Sequence, residues 1–222
     1  MSNQDRLEVR VDIFEKTNQR ALALAEVTPP EFVASILQEF RELEYLSDSP
    51  ADYRLLKAGD RTPLDNESKL GGQLKGKENL VLVENELPLP AETRRPTDDI
   101  YLSEPMTDKV YKLHWLPAII GRSSPNQPHN DWVAVNLETH KTGLRASRRH
   151  LIITEEAGQY FVAAMSSNPA IIIRDKKENA IPITSNKQPL QPGDVISLTR
   201  SNIMLKFIVR PQTADRSQKE EV

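Results

Sequence analysis

Apolar and polar residues alternate strictly at the start of the chain: Leu7, Val9, Val11 and Ile13 are separated by Glu8, Arg10 and Asp12. A period of two predicts a strand with one buried face. The polar Lys16-Thr17-Asn18-Gln19 predicts a turn, and Leu22 and Leu24 fall on one face of a return strand. Thr28-Pro29-Pro30-Glu31 then reads as a helix start, with Thr28 as cap, Pro29 in the first helical position and Glu31 completing a capping box. Phe32, Val33, Ile36, Leu37, Phe40 and Leu43 follow at helical spacing. A short strand is predicted at 53–57, then a turn-rich stretch through Pro63, Gly71-Gly72 and Gly76, then a final strand at 80–83.

The period changes after residue 108. Short apolar runs at 110–113, 118–120, 132–135, 151–153, 160–163, 171–173, 195–198 and 203–209 are broken by Pro, Gly and Asn. Regular short strands of this kind predict a β-sandwich. Between the two patterns, Pro88, Pro90, Pro96 and Pro105 punctuate a polar segment, the composition of an extended linker. The predicted organisation is an α+β domain at 5–87, a linker at 88–108, an all-β sandwich at 109–211 and a flexible polar tail at 212–222.

Composition narrows the function classes. The 222 residues contain no Cys, which excludes disulfides, thiolate metal sites and a Cys nucleophile. No apolar run approaches a membrane span and the N-terminus lacks the pattern of a signal peptide, so no membrane insertion and a cytoplasmic location are expected. The net charge of −3 is unevenly spread: residues 1–90 hold 11 Lys/Arg against 17 Asp/Glu, and residues 91–222 hold 18 against 15. With an acidic first half and only 5% aromatic residues, nucleic acid is not an expected partner. His114, His129, His140 and His150 lack the spacing of metal ligands. There is no Gly-rich phosphate loop or nucleophile motif, so no enzyme, cofactor or metal is expected.

Four short words stand in the second half: Gly121-Arg122, Ser147-Arg148-Arg149-His150, Ser166-Ser167-Asn168 and Gly193-Asp194. An Arg presents a cationic fork to phosphate, a Ser a neutral hydroxyl donor, and an Asn both donor and acceptor to a peptide backbone. Five Lys/Arg lie between residues 121 and 150 against Asp131 and Glu138 alone. In this order the words over 109–210 resemble a forkhead-associated (FHA) domain, a module that binds phosphothreonine peptides. The resemblance implies that Arg122, Ser147 and Arg148 contact the phosphate or its peptide and that Asn168 holds the peptide main chain. It implies structural roles for Gly121, which permits a tight turn, for His150, which fixes the Ser loop, and for Gly193 and Asp194. The chain departs from the family in having Pro169-Ala170 after this Asn, where Gly and Thr are usual.

The element order of residues 5–87 looks like a ubiquitin-like β-grasp domain, similar to the small ubiquitin-like proteins of bacterial type VII secretion systems. Gly71-Gly72 precedes the last strand of that segment and more chain follows, so it reads as a turn and not as a conjugation tail. Thr97, in Arg94-Arg95-Pro96-Thr97-Asp98-Asp99, has the upstream basic residues that many Ser/Thr kinases prefer and is a candidate self-ligand. The expected protein is an adaptor that binds a phosphothreonine-containing protein or peptide, a Ser/Thr kinase or its substrate among them, in kinase signalling or a secretion-linked assembly. The alternative is a phospho-independent scaffold that docks partners through the ubiquitin-like domain.

Overall fold

The computed structural model describes residues 6–174 and 179–211. The predicted tail at 212–222 lies outside them. The chain forms two compact units, residues 1–86 and 87–222.

In the first unit, β1 (Arg6–Ile13) and β2 (Lys16–Leu24) form an antiparallel hairpin, and α1 (Pro29–Glu39) leads to β3 (Tyr53–Lys57). A single turn, α2 (Leu70–Gln73), precedes β4 (Asn79–Glu84). The sheet order is β2-β1-β4-β3, with β1 parallel to β4 and β3 antiparallel to it. The helix begins as its sequence predicts: the Thr28 N–H donates to the Glu31 carboxylate at 2.8 Å. That bond holds the Glu31 pKa below its ordinary value. Phe32, Val33, Ile36 and Leu37 form the buried helix face.

Leu22 and Leu24 do share a face of β2, but it is the exposed one, at 58% and 50% exposure, while Ala23 between them is buried. Parity is set by the partner strand. Val9 points inward and pairs with Ala21, whereas Glu8 pairs with Leu22. Within a pleat every second residue must follow its neighbour's face.

The second unit is a sandwich. Its elements are β5 (Asp99–Glu104), β6 (Lys109–Lys112), β7 (Ala118–Gly121), β8 (Val133–Asn136), β9 (Arg149–Glu156) and β10 (Gln159–Ala164). They continue with β11 (Ala170–Arg174), β12 (Asn179–Pro182), β13 (Gln188–Leu190), β14 (Val195–Leu198) and β15 (Ile203–Arg210). One sheet has the order β13-β10-β9-β7-β8 and the other β12-β11-β14-β15-β5-β6. Ile120, Leu151, Ile153 and Val162 from the first sheet and Ile172, Ile196, Leu205 and Phe207 from the second are fully buried in one core.

The predicted linker at 88–108 is corrected by this sandwich. β5 lies inside that segment and pairs with β15 and β6, and Ile100, Tyr101 and Leu102 are fully buried. Three apolar residues among prolines and charges do not shift a composition window, and their main partner strand lies about 100 residues further on.

The residues before β5 are also strapped to the sandwich. Arg94 exchanges backbone hydrogen bonds with Leu116 and its guanidinium meets the buried Glu155 carboxylate at 3.0 Å. Arg95 donates to the carbonyls of His114 and Leu87. The two basic residues upstream of Thr97 therefore serve the fold. Thr97 is exposed and its N–H donates to Glu155. Glu155 stands near the end of β9, and Ser147 precedes its start, roughly 20 Å away at ~3.3 Å per residue. Thr97 thus sits far from the Ser147 loop of its own sandwich.

Candidate functional site

Four connections meet at one end of the sandwich. They are the loop after β7, the loop between β8 and β9, the loop between β10 and β11, and the turn between β14 and β15. The pairing of Ala170 with Leu198 and of Ala164 with Leu151 brings the last three together.

Gly121 is the last residue of β7 and follows an irregularity in its pairing with β9. Its φ is not positive, so the expected turn is not its reason. A Cβ here would lie 2.2 Å from the Arg148 carbonyl oxygen and 3.0 Å from that of Ser147. Glycine is required because the Ser147-Arg148 backbone packs directly against it. Gly143, which the motif reading did not single out, has the same function one loop away: a Cβ would lie 1.6 Å from the Leu137 carbonyl oxygen.

Arg122 donates its backbone N–H to the Arg148 carbonyl at 3.1 Å and its Nε to the Ala146 carbonyl at 2.9 Å. This leaves the terminal nitrogens of its guanidinium without a hydrogen-bond partner among the described residues. The Ser147 hydroxyl donates to Ser166 Oγ at 2.9 Å and accepts from Asn168 Nδ2 at 2.8 Å. Arg148 is exposed and its side chain has no partner among the described residues, and the same holds for Arg145. The neighbouring Arg149 does something else. It donates to the carbonyls of Pro128, Arg122, Arg148 and Gln127 and to Asn130 Oδ1, and so clamps the loop after β7. Burial pulls its pKa down, with the Asp131 charge opposing.

His150 is fully buried. Its Nδ1 accepts the Ser147 N–H at 3.3 Å and its carbonyl accepts the Met165 N–H at 2.9 Å, which ties the Ser147 loop to the loop after β10. Burial pushes the imidazole pKa down. Its Nε2 makes no hydrogen bond of ordinary length, but the nearby Asn168 backbone partly offsets that shift. The neutral ring is the form whose Nδ1 can accept. The folded pKa lies below the unfolded value of about 6.5, so the neutral ring stabilises the fold above that pH and the gain is lost as pH falls through the folded value. Thermal melts at stepped pH should therefore show stability declining below about pH 6.5, and His150→Gln should lose that part of the slope. An unchanged slope in the variant would place the pH dependence elsewhere.

Asn168 is held on both sides of its amide. Nδ2 reaches Ser147 Oγ and, at 3.5 Å, the Arg145 carbonyl, and Oδ1 accepts from Arg200 at 2.7 Å. Pro169 is tolerated at the start of β11, where its carbonyl accepts the Thr199 hydroxyl. Ser166 stood in the Asn168 word without a role of its own, and Arg200 was not among the residues the sequence pointed to. Arg200 has no local signature, since only the β11–β14 pairing places it beside Asn168.

Gly193 and Asp194 are at the other end of β14. The Gly193 N–H donates to the Phe207 carbonyl, and the buried Asp194 carboxylate accepts from Nε and Nη2 of Arg174 at 2.8 and 2.7 Å. They brace the sandwich and touch none of the four loops of the candidate site. Among the described residues no group of His, Asp and Glu could hold a metal ion, and no helix is long and apolar enough to cross a membrane.

Residues 118–199 match the family model described as FHA domain, so the sandwich carries an FHA domain over that stretch. No curated protein matches the chain. Among solved structures, it is similar to the FHA domain of human APLF in complex with an XRCC1 bisphospho peptide, at 22% identity and TM-score 0.37, covering 50% of this chain and 97% of that one. It is similar to the FhaA FHA domain complexed with the intracellular domain of Rv3910, at 25% identity and TM-score 0.35, covering 50% and 99%. It is also similar to Mycobacterium tuberculosis EmbR in complex with a low-affinity phosphopeptide, at 20% identity and TM-score 0.37, covering 52% of this chain and 26% of that one.

Proposed function

We propose that the chain is a phosphothreonine-peptide-binding adaptor that acts in Ser/Thr kinase signalling or in a secretion-linked assembly. The observation that carries this reading is the Ser147 hydroxyl, hydrogen-bonded to the Asn168 amide at 2.8 Å, on the same end of the sandwich as the unengaged guanidinium nitrogens of Arg122 and Arg148. A phosphate dianion needs charge-assisted donors, and a guanidinium supplies two in one plane. The Ser147 hydroxyl adds a neutral donor and the Asn168 amide matches a peptide main chain. The FHA match over 118–199 supports the same assignment. The role in this reading is recognition without catalysis.

In this reading the first unit is a ubiquitin-like β-grasp domain that serves as a docking module. Its support is the β2-β1-β4-β3 order, with the chain's first and last strands of that unit adjacent and parallel. One observation favours the second reading, phospho-independent docking: Leu22 and Leu24 are exposed on β2, an edge strand.

The test is titration of the full chain with a degenerate phosphothreonine peptide pool and its unphosphorylated twin. The phosphorylated pool should bind with micromolar Kd, about −8 kcal/mol. Arg122→Ala and Ser147→Ala should each weaken it, Arg122→Ala by about 100-fold, as expected for loss of a charge-assisted contact. Equal binding of the two pools would transfer the function to the surface of the first unit.

A further inference from the structure

Arg200 occupies a turn that is pinned on both sides. The preceding Thr199 hydroxyl donates to the Pro169 carbonyl at 3.1 Å. The following Ser201 is buried, and its carbonyl accepts the Thr142 hydroxyl at 2.6 Å from the loop that precedes Ser147. From this fixed base the exposed Arg200 side chain reaches across to Asn168 Oδ1 at 2.7 Å.

A guanidinium can only donate. Its partner atom on Asn168 must therefore be the amide oxygen, which forces the amide nitrogen toward Ser147. Because Asn168 Nδ2 donates to Ser147 Oγ, the Ser147 proton points onward, at present to Ser166 Oγ. The hydrogen bonds run in one direction, Arg200 to Asn168 to Ser147 to Ser166. With the amide reversed, its oxygen would capture the Ser147 proton and leave only lone pairs toward an incoming anion.

We infer that Arg200 is a positioning residue for the proposed phosphopeptide site: it sets the direction of the Asn168 amide and so keeps the Ser147 hydroxyl proton available to a phosphate oxygen. The inference rests on the phosphothreonine reading above. It also fixes which end of the Asn168 amide meets a bound peptide, since the oxygen retains one free lone pair beside Arg200.

Two measurements on the full chain test it. The first is the pair of Asn168 side-chain amide resonances in the free protein, assigned through Asn168→Ala. Arg200→Ala should shift them toward the values of a mobile amide, and Arg200→Lys, which keeps a donor, should restore part of the dispersion. The second is a double-mutant cycle on affinity for one phosphothreonine peptide taken from the pool. Arg200→Ala should lower affinity about tenfold in the wild-type background and have little further effect beside Asn168→Ala. An equal loss in both backgrounds would mean that Arg200 acts on the ligand through its own charge and would overturn the inference. Unchanged Asn168 resonances in Arg200→Ala would overturn it as well. If the wild-type chain binds both peptide pools alike, it is the phosphothreonine reading that fails, and the amide resonances alone decide whether Arg200 directs Asn168.

Discussion

Gly121→Ala is expected to lower the thermal midpoint of the sandwich by roughly 10 °C, from about 3 kcal/mol of overpacking. The added methyl would sit 2.2 Å from the Arg148 carbonyl oxygen and 2.8 Å from its carbon. Neither atom belongs to a flexible side chain that could swing aside. Relief requires the Ser147-Arg148 backbone to retreat from β7, and that backbone also receives the Arg122 N–H and presents its N–H to His150. Molecules that stay folded should therefore bind phosphothreonine peptide more weakly, as in Ser147→Ala. Gly59→Ala, where a Cβ meets nothing within 4 Å and φ is not positive, is the matched control and should change neither property. Differential scanning calorimetry with a binding isotherm at 15 °C separates the two effects. A Gly121→Ala protein with native midpoint and native affinity would show that the loop does not rest on β7 as described.

Asp194→Ala should destabilise to a similar degree and leave the proposed site intact. The Asp194 carboxylate is 2% exposed and takes two bonds from Arg174 and one from the Gln191 N–H. Removing it takes a counter-charge from the largely buried Arg174, a loss of about 3 kcal/mol. The double variant Arg174→Met, Asp194→Leu should recover much of that loss, because a hydrophobic pair avoids the desolvation of two charges. β14 separates Asp194 from Arg200 by roughly 13 Å at ~3.3 Å per residue. Phosphopeptide affinity below the melting transition should therefore match the wild type. A loss of affinity at constant fold would show that Gly193-Asp194 supports the site directly.

The two glycines show how far the sequence could be read. Gly121 was legible as the residue before a candidate Arg, but its reason was not. A local reading offers a turn, and the structure shows a close approach between chain segments 26 residues apart. Gly143 carried no motif at all, although its contact is tighter. Arg149 shows the same limit in reverse. It reads only as one of five basic residues between 121 and 150, whereas four of its five hydrogen bonds reach three backbone carbonyls and one side-chain amide 19 to 27 residues earlier, and the fifth reaches the carbonyl of its neighbour Arg148.

Local patterning determined most elements of this protein by itself. The alternation of β1, the cap of α1 and the order of Arg122, Ser147, His150 and Asn168 are one-dimensional facts, since each is read along the chain without knowing which segments pair. Tertiary structure decided the rest. It chose which face of β2 is buried, through the register with β1, and it drew β5 out of a proline-rich segment into the core through pairing with β15. It also set Arg200 beside Asn168 and carried Thr97 to the end of β9 remote from Ser147. Strand pairing joins residues without regard to their separation along the chain, and a hydrogen bond is available only where that pairing has already brought donor and acceptor to about 3 Å.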